Sequence, residues 1–180
     1  MSKFYTKLTS RVQKFIKAQK MFFVATAPKN GRINLSPKGM DSIRVINENR
    51  ILWLNLTGSG NETAAHILEN NRITLMFCAF EGNPNILRIY GKGKAIHPKD
   101  AEWKDVISLF PDIPGARQIF DITVESAQDS CGMSIPFYEY KGERNQLNDW
   151  ATEQGQEKIE QYWEDKNQTS IDGLPTNILD

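Results

Sequence analysis

A run of small and polar residues at positions 56–63, LTGSGNET, has the residue types that bind anions. Its glycines let backbone N–H groups approach a ligand closely, and the apolar residues that follow are spaced as in a helix starting near Asn61. Because the first turn of a helix carries partial positive charge, this segment favours a phosphate group as its ligand. Ser59, Asn61 and Thr63 can add side-chain hydrogen bonds, and Gly60 gives further access to the backbone.

The same run also has a purely structural interpretation. Ser59 and Glu62 stand at Ser-x-x-Glu spacing and can form a capping box that satisfies N–H groups of the helix itself. The run contains no lysine or arginine, and the Glu62 carboxylate repels a dianion unless it turns away. Phosphate binding here therefore requires a cation from another strand, and Lys38 and Arg88 are the candidates.

Lys38 lies in a segment that interrupts a strand, NLSPKGMD at residues 34–41. Pro37 lacks the N–H group that a strand needs, and Gly39 relaxes the backbone. The strand is therefore expected to end or bulge here and to present Lys38 to a cavity. A surface turn with a solvated lysine is the alternative.

Arg88 lies within ILRIY, residues 86–90. The alternation of a strand places it on one face with Ile86 and Tyr90. A cation among apolar residues is expected to have an anionic partner. That partner is either a bound phosphate or a carboxylate of the protein itself.

Composition and spacing argue against several other functions. The 22 basic residues equal the 22 acidic residues, so the net charge favours neither nucleic acid nor an anionic membrane. The glycines match neither a Rossmann nor a Walker phosphate loop. His66 and His97 lack metal-ligand spacing, and neither Cys78 nor Cys131 belongs to a Cys-x-x-Cys pair, so we expect no metal site. With no signal peptide and no run of ~20 apolar residues, we expect a soluble protein of the reducing cytoplasm.

The elements that must position these residues are expected to form a single domain over residues 1–180. An amphipathic helix over 9–18 would cover one end of the core. Apolar segments separated by turn residues follow, among them 51–56, 72–80 and, as the last strand, 119–124. They predict an antiparallel meander rather than βαβ units. We therefore predict a mainly β fold, a six-stranded antiparallel Greek-key barrel with flanking helices. Residues 144–180 would form a helical C-terminal extension on the barrel or on a dimer partner.

Taken together, the chain resembles the pyridoxamine 5′-phosphate oxidase-related flavoproteins. One subgroup of them carries stretches similar to SPKG at 36–39, GSGNET at 58–63 and SIDGLP at 170–175. The resemblance is good over 21–96 and extends over most of the chain. Membership implies a split β-barrel, a homodimer, and two FMN molecules that lie across the subunit interface.

The resemblance also implies roles for individual residues. Lys38 is similar to the family lysine that approaches the isoalloxazine ring, and residues 33–37 are similar to the strand whose backbone lines the flavin. Ser59 is similar to the phosphate-binding serine of the family. The implied cofactor-binding residues are Ser36, Pro37, Lys38, Gly39, Ser59, Gly60, Asn61, Thr63 and Arg88.

Basic residues that the family uses near the phosphate are replaced in this chain. Gly60 and Asn61 follow the serine where the oxidases have cations, and Ile33 stands where the flavin strand has an arginine. Arg88, which aligns with a basic position on a later strand, is then the expected cation for the phosphate.

Two functions remain open at this stage. The first is an FMN-dependent oxidoreductase that acts on an unknown small molecule, in which Lys38 would stabilise the anionic reduced ring. The second is a binding or sensing protein that holds flavin or haem without turnover. In either case, residues 170–175 are expected to cover the open face of the ring or to pack against the partner subunit. Oxidation of pyridoxamine phosphate itself is less expected, since the sequence shows no cluster of arginines with a histidine.

Overall fold

The structure is a computed structural model and describes residues 2–180. Within these residues, eight strands form one antiparallel sheet: β1 Lys3–Tyr5, β2 Phe22–Thr26, β3 Asn34–Lys38, β4 Ile43–Asn47, β5 Arg50–Leu56, β6 Arg72–Cys78, β7 Ile86–Ile96 and β8 Ala116–Ser130. The same part of the chain contains four helices: α1 Ser10–Ala18, α2 Glu62–Asn70, α3 Trp103–Ile107 and α4 Gln146–Lys166.

The order of the strands makes the sheet a split barrel. It runs β3-β2-β6-β7-β8-β5-β4, with β1 paired to β8. The edge strands β3 and β4 stand at opposite ends of this order, yet only residues 39–42 connect them, with Met40 and Asp41 at positive φ. The sheet must therefore curl until its two edges are neighbours. The predicted mainly β, antiparallel split barrel with flanking helices is confirmed, with eight strands instead of six.

Both termini of the barrel contain more strand than their hydropathy indicates, and the short β1 adds a strand to the count. β1 has only three residues, and the final strand extends six residues beyond the apolar alternation over 119–124. In this extension Asp129 is buried, and its carboxylate accepts hydrogen bonds from Lys3 N (3.0 Å) and Tyr5 Oη (2.7 Å). These bonds hold β1 against β8 where a hydrophobic pattern is lacking.

The barrel interior is filled by aromatic and branched side chains. Trp53 and Phe120 stack with ring centres 4.9 Å apart, and both are fully buried. The predicted first helix is present, and it buries Val12 and Ile16 against this core. Burying each such side chain stabilises the fold by about 1.5–3 kcal/mol.

The predicted C-terminal helix is also present, as α4, but Gly155 breaks it (φ 73°, ψ 164°). After the break, Ile159 and Trp163 are buried in a separate apolar cluster with Ile178. The chain end is thereby held against the body of the protein. None of the helices in residues 2–180 combines the length and apolar character needed to cross a bilayer.

Candidate functional site

A cavity of about 430 Å³ lies beside the edge strand β3 and the turn that joins it to β4. The second half of β5, the loop after β5 and the start of α2 form the rest of its wall, and β8 contributes Arg117. The structure brings most of the predicted residues together here: Ser36, Pro37, Lys38, Gly39, Ser59, Gly60, Asn61 and Thr63.

The loop after β5 is fixed through its carbonyl groups. Gly58 O accepts a hydrogen bond from Asn167 Nδ2 (3.1 Å), and Gly60 O accepts one from Arg117 Nη1 (3.0 Å). The loop N–H groups from Gly58 to Asn61 have no hydrogen-bond acceptor among residues 2–180. Consecutive unbonded N–H groups are the donors that cradle anions in proteins.

The start of α2 is not capped by side chains. Asn61, at the N-cap position, makes no capping bond, because its Oδ1 accepts from Gln118 Nε2 (2.6 Å). The Glu62 carboxylate accepts from Ile171 N at 3.1 and 3.2 Å, and Ser59 is exposed. The capping-box interpretation of this segment is therefore wrong. The first N–H groups of α2 stay available, and the acidic side chain is engaged with the C-terminal segment.

Arg117 is a buried cation, 3% exposed, next to this loop. Its Nε and Nη2 donate to Asn55 Oδ1 (3.2 and 2.7 Å). Its Nη1 donates to Asn167 Oδ1 (2.6 Å) and to Gly60 O (3.0 Å). None of these acceptors is charged, and within residues 2–180 no carboxylate forms an ion pair with Arg117. Burial lowers the pKa of this guanidinium to about 9.

Lys38 borders the cavity from β3. Asn34, four residues earlier on β3, donates to Thr63 Oγ1 (3.2 Å) at the start of α2. At 3.3 Å per strand residue, Lys38 therefore lies about 13 Å along the strand from that contact. The cavity thus has an Arg117 end, formed by Arg117 and the loop after β5, and a Lys38 end.

At the Lys38 end, the amine lies over an indole ring. Lys38 Nζ is 5.3 Å from the centre of the Trp53 ring, and no hydrogen bond or ion pair to it is found among residues 2–180. Burial, and secondarily the Arg117 charge, lower the pKa of Lys38 to about 8. Trp53 Nε1 is buried and, in the part of the chain that the structure describes, has no hydrogen-bond partner. This end therefore offers an unpaired amine next to a buried indole ring.

Arg88, the predicted cation for a phosphate, does not line the cavity. It lies on β7, and its Nη1 donates to Ser130 Oγ (3.1 Å) on β8. The cation at the loop is Arg117, which the sequence analysis missed because it predicted the last strand to begin at residue 119. The argument made for Arg88, that a cation in a buried strand needs a partner, applies equally to Arg117 once β8 is known to start at Ala116.

The C-terminal stretch Ser170–Pro175 does not line the cavity either. Ser170 N donates to Leu174 O (2.8 Å), which closes a turn. The Asp172 carboxylate accepts from Arg32 N (2.7 Å) and forms an ion pair with the Arg32 guanidinium. These bonds hold the stretch against the turn between β2 and β3 of its own chain.

A larger groove, of about 1290 Å³, adjoins the Lys38 end of the cavity. The two share Lys38, Met40 and Leu147 among their lining residues. On the far side the groove is lined by residues 138–147, which are held by Glu143: its carboxylate accepts from Met40 N (3.3 Å) and Tyr140 Oη (2.8 Å). The groove therefore lies next to the Lys38 end of the cavity.

The fold and the cavity define a split-barrel protein with a candidate anion-binding site. Comparison with known proteins identifies its family. Residues 8–131 match the family model for pyridoxamine 5′-phosphate oxidase. The pyridoxamine 5′-phosphate oxidase family protein ustO of Aspergillus flavus is 31% identical over 190 residues, which cover 96% of this chain and 76% of the relative. The chain belongs to the pyridoxamine 5′-phosphate oxidase family.

Solved structures show the same fold. HupZ of Group A Streptococcus has a TM-score of 0.56 at 19% identity, covering 68% of this chain and 99% of that chain. HutZ, the haem storage protein of Vibrio cholerae, has a TM-score of 0.50 at 16% identity, covering 71% of this chain and 98% of that chain. The family match ends at residue 131, so α4 and the segment that carries Asn167 lie outside the matched residues.

Proposed function

We propose that the protein binds FMN in the cavity and is a flavin-dependent oxidoreductase that acts on a small organic molecule. The observation that carries this proposal is the difference between the cavity's two ends. The Arg117 end offers unbonded N–H groups and a buried cation without an anionic partner, which suits a phosphate. The Lys38 end offers an amine beside apolar walls, which suits a flat ring with an electron-rich edge.

The residues present fit a flavin nucleotide. Gly58–Asn61 and Arg117 would hold the phosphate, and residues on β3 would line the ring. The bound flavin would supply the electron transfer that no side chain can perform. Lys38, with its positive charge, would stabilise negative charge on the ring edge nearest β3. Trp53 would exclude water from that edge. In this site Arg117 takes the place that the sequence suggested for Arg88.

The substrate would bind in the groove next to Lys38. This groove is the larger of the two spaces, about 1290 Å³ against about 430 Å³. Oxidoreductase activity is tested by adding NADH or NADPH to the flavin-loaded protein and then an organic acceptor. Reduction followed by reoxidation supports turnover, and failure over a broad panel of donors favours a protein that only binds flavin.

The alternative is a split-barrel protein that binds flavin or haem without turnover. HutZ, a haem storage protein, has the same fold, and this likeness favours haem as the ligand of such a non-catalytic protein. Haem iron requires an axial ligand such as histidine or cysteine. None of the residues lining the cavity is a histidine or a cysteine, and His66 Nδ1 is 3.0 Å from Thr26 Oγ1. This lining favours flavin over haem. Mass spectrometry of the ligand released from native protein decides between them.

We also propose a homodimer in the cytoplasm. On the face of β3 opposite the cavity, Leu35 is 62% exposed, and Ile33, just before β3, is 77% exposed. Met133 and Phe137 in the segment before α4 are more than 80% exposed. Apolar residues exposed at an edge strand are typical of subunit contacts. Both cysteines are free, which suits a reducing compartment. Light scattering after size exclusion should give twice the chain mass of 20.6 kDa.

A further inference from the structure

We propose that Arg117, held only by uncharged groups, is the residue by which this protein selects phosphate monoesters over their dephosphorylated counterparts. The proposal rests on the proposed function and adds to it the determinant of ligand class. It also gives Asn55 and Asn167 the role of positioning residues, since each fixes the guanidinium without neutralising it.

The acceptors around Arg117 are amides and a backbone carbonyl. Asn55 is 6% exposed and Asn167 is fully buried, so their oxygens are committed to this contact. The four hydrogen bonds occupy both N–H groups of Nη1, the Nε–H group and one N–H group of Nη2. The second N–H group of Nη2 has no partner among residues 2–180. The guanidinium is therefore oriented by the protein, with its charge and one donor unused.

A buried cation without a counter-ion is unfavourable, and proteins ordinarily pair it with a carboxylate. An aspartate has almost the same shape as an asparagine, so a counter-ion could replace Asn55 without change of volume. Glu62 is the single carboxylate lining the cavity within residues 2–180, and it is bound to Ile171 N. The missing counter-ion therefore has to come from the ligand. A dianionic phosphate next to unbonded N–H groups meets that requirement, and a neutral ligand does not.

The segment after α4 completes this arrangement. The Asn167 carbonyl accepts from Thr176 Oγ1 (2.6 Å), and Trp163 Nε1 donates to Thr57 Oγ1 (2.9 Å) at the start of the loop. Through Asn167, a single side chain holds both the Arg117 guanidinium and the Gly58 carbonyl. The Arg117 end is thus formed both by β8, which lies within the residues that match the family, and by Asn167, which lies beyond them.

The test gives Arg117 an internal counter-ion. In Asn55→Asp, the new carboxylate can accept every hydrogen bond that Asn55 Oδ1 accepts, from Arg117 and from Gln118 Nε2. The apoprotein is titrated with FMN, riboflavin and inorganic phosphate. For the wild type we expect FMN to bind at least 100-fold more tightly than riboflavin. Inorganic phosphate should compete with FMN and should not compete with riboflavin. In Asn55→Asp the FMN preference should fall to less than tenfold with riboflavin affinity unchanged.

Asn47→Asp is the matched control. Asn47 is exposed on β4, and its Oδ1 accepts from Asn49 N, which a carboxylate does equally well. This variant should keep the wild-type preference. Equal binding of FMN and riboflavin by the wild type, or an unchanged preference in a folded Asn55→Asp, overturns the proposal. If Asn55→Asp does not fold, the competition between inorganic phosphate and FMN for the wild type is the remaining test. Failure of inorganic phosphate to compete with FMN then overturns the proposal.

The proposed function can fail separately. If neither FMN nor riboflavin binds, calorimetry still measures whether inorganic phosphate binds at the Arg117 end. Phosphate binding by the wild type and its loss in Asn55→Asp then support the selection by Arg117 while refuting the flavin. Absence of phosphate binding to the wild type overturns both.

Discussion

At the Arg117 end of the cavity, the cation is fixed by four hydrogen bonds and the loop is fixed through its carbonyls. At the Lys38 end, the amine lies over an indole ring and has no ion pair in the described part of the chain, and the wall is an edge strand next to a large groove. The groups at the Arg117 end are thus held by hydrogen bonds within the protein, and the Lys38 amine is not.

The proposed function accounts for this difference. A phosphate group is small and always charged, so fixed donors can be arranged for it in advance. A redox ring changes its charge and must admit a substrate, so its neighbours benefit from an adjustable proton and an open side. The comparison therefore predicts that changes to Arg117 and to the buried groups that hold it alter affinity and stability together, whereas changes at the Lys38 end alter mainly the response to pH.

Arg117→Lys should produce the largest effect. Lysine cannot reach Asn55, Asn167 and Gly60 O at once, so buried acceptors lose their donors. We expect FMN affinity to fall about 100-fold and the free energy of unfolding to fall by about 3–5 kcal/mol. Fluorescence titration and urea unfolding measure the two quantities. Arg72→Lys, at an exposed position on β6, is the control. If affinity falls without any loss of stability, the Arg117 end is not preformed.

Lys38→Met should change the pH dependence of stability. The pKa of Lys38 is about 8 in the folded state against 10.5 for a free lysine, so the folded protein loses this proton first as pH rises. Since the unfolded chain binds more protons between pH 8 and 10.5, stability increases with pH over that window. The variant should be more stable than the wild type at pH 7, by about 3 kcal/mol, and the difference should vanish near pH 10.5.

Urea unfolding of both proteins from pH 7 to 10.5 makes this comparison, since groups common to both cancel in the difference. A constant difference across the range would mean that Lys38 is fully charged in the cavity, and the contrast between the two ends would then be lost.

Ser59→Ala should have the smallest effect. The Ser59 hydroxyl is exposed and contributes to the site only if a ligand accepts its hydrogen bond. We expect FMN affinity to fall three- to tenfold, and the free energy of unfolding to change by less than about 0.5 kcal/mol. Thermal unfolding with and without FMN measures both. A loss of stability in the ligand-free protein would show that Ser59 supports the loop itself.

Local signals in the sequence were sufficient for the barrel and for one wall of the cavity. The glycines and polar residues of 56–63 indicated a loop before a helix, and Pro37 and Gly39 indicated where β3 ends. Both features depend on backbone conformation within a few residues. For that reason local spacing made Lys38 and Ser59 candidates for a cavity, while a solvated turn and a capping box remained as alternatives.

The long-range partners could not be predicted in the same way. Arg117 and Asn167 are 50 residues apart, and Asn61 and Gln118 are 57 apart. These pairs depend on how the sheet closes and where the chain end packs, and neither is encoded in a local pattern. The polar half of β8 was missed for the same reason, because Asp129 is buried by its bonds to β1 rather than by hydrophobicity.

A crystal structure of the protein with FMN tests the account most directly. We expect the phosphate within hydrogen-bond distance of the N–H groups of Gly58–Asn61 and of Arg117 Nη2, with the ring edge at Lys38 and Trp53. FMN bound in the opposite direction, or in the larger groove with the loop after β5 left empty, would contradict it.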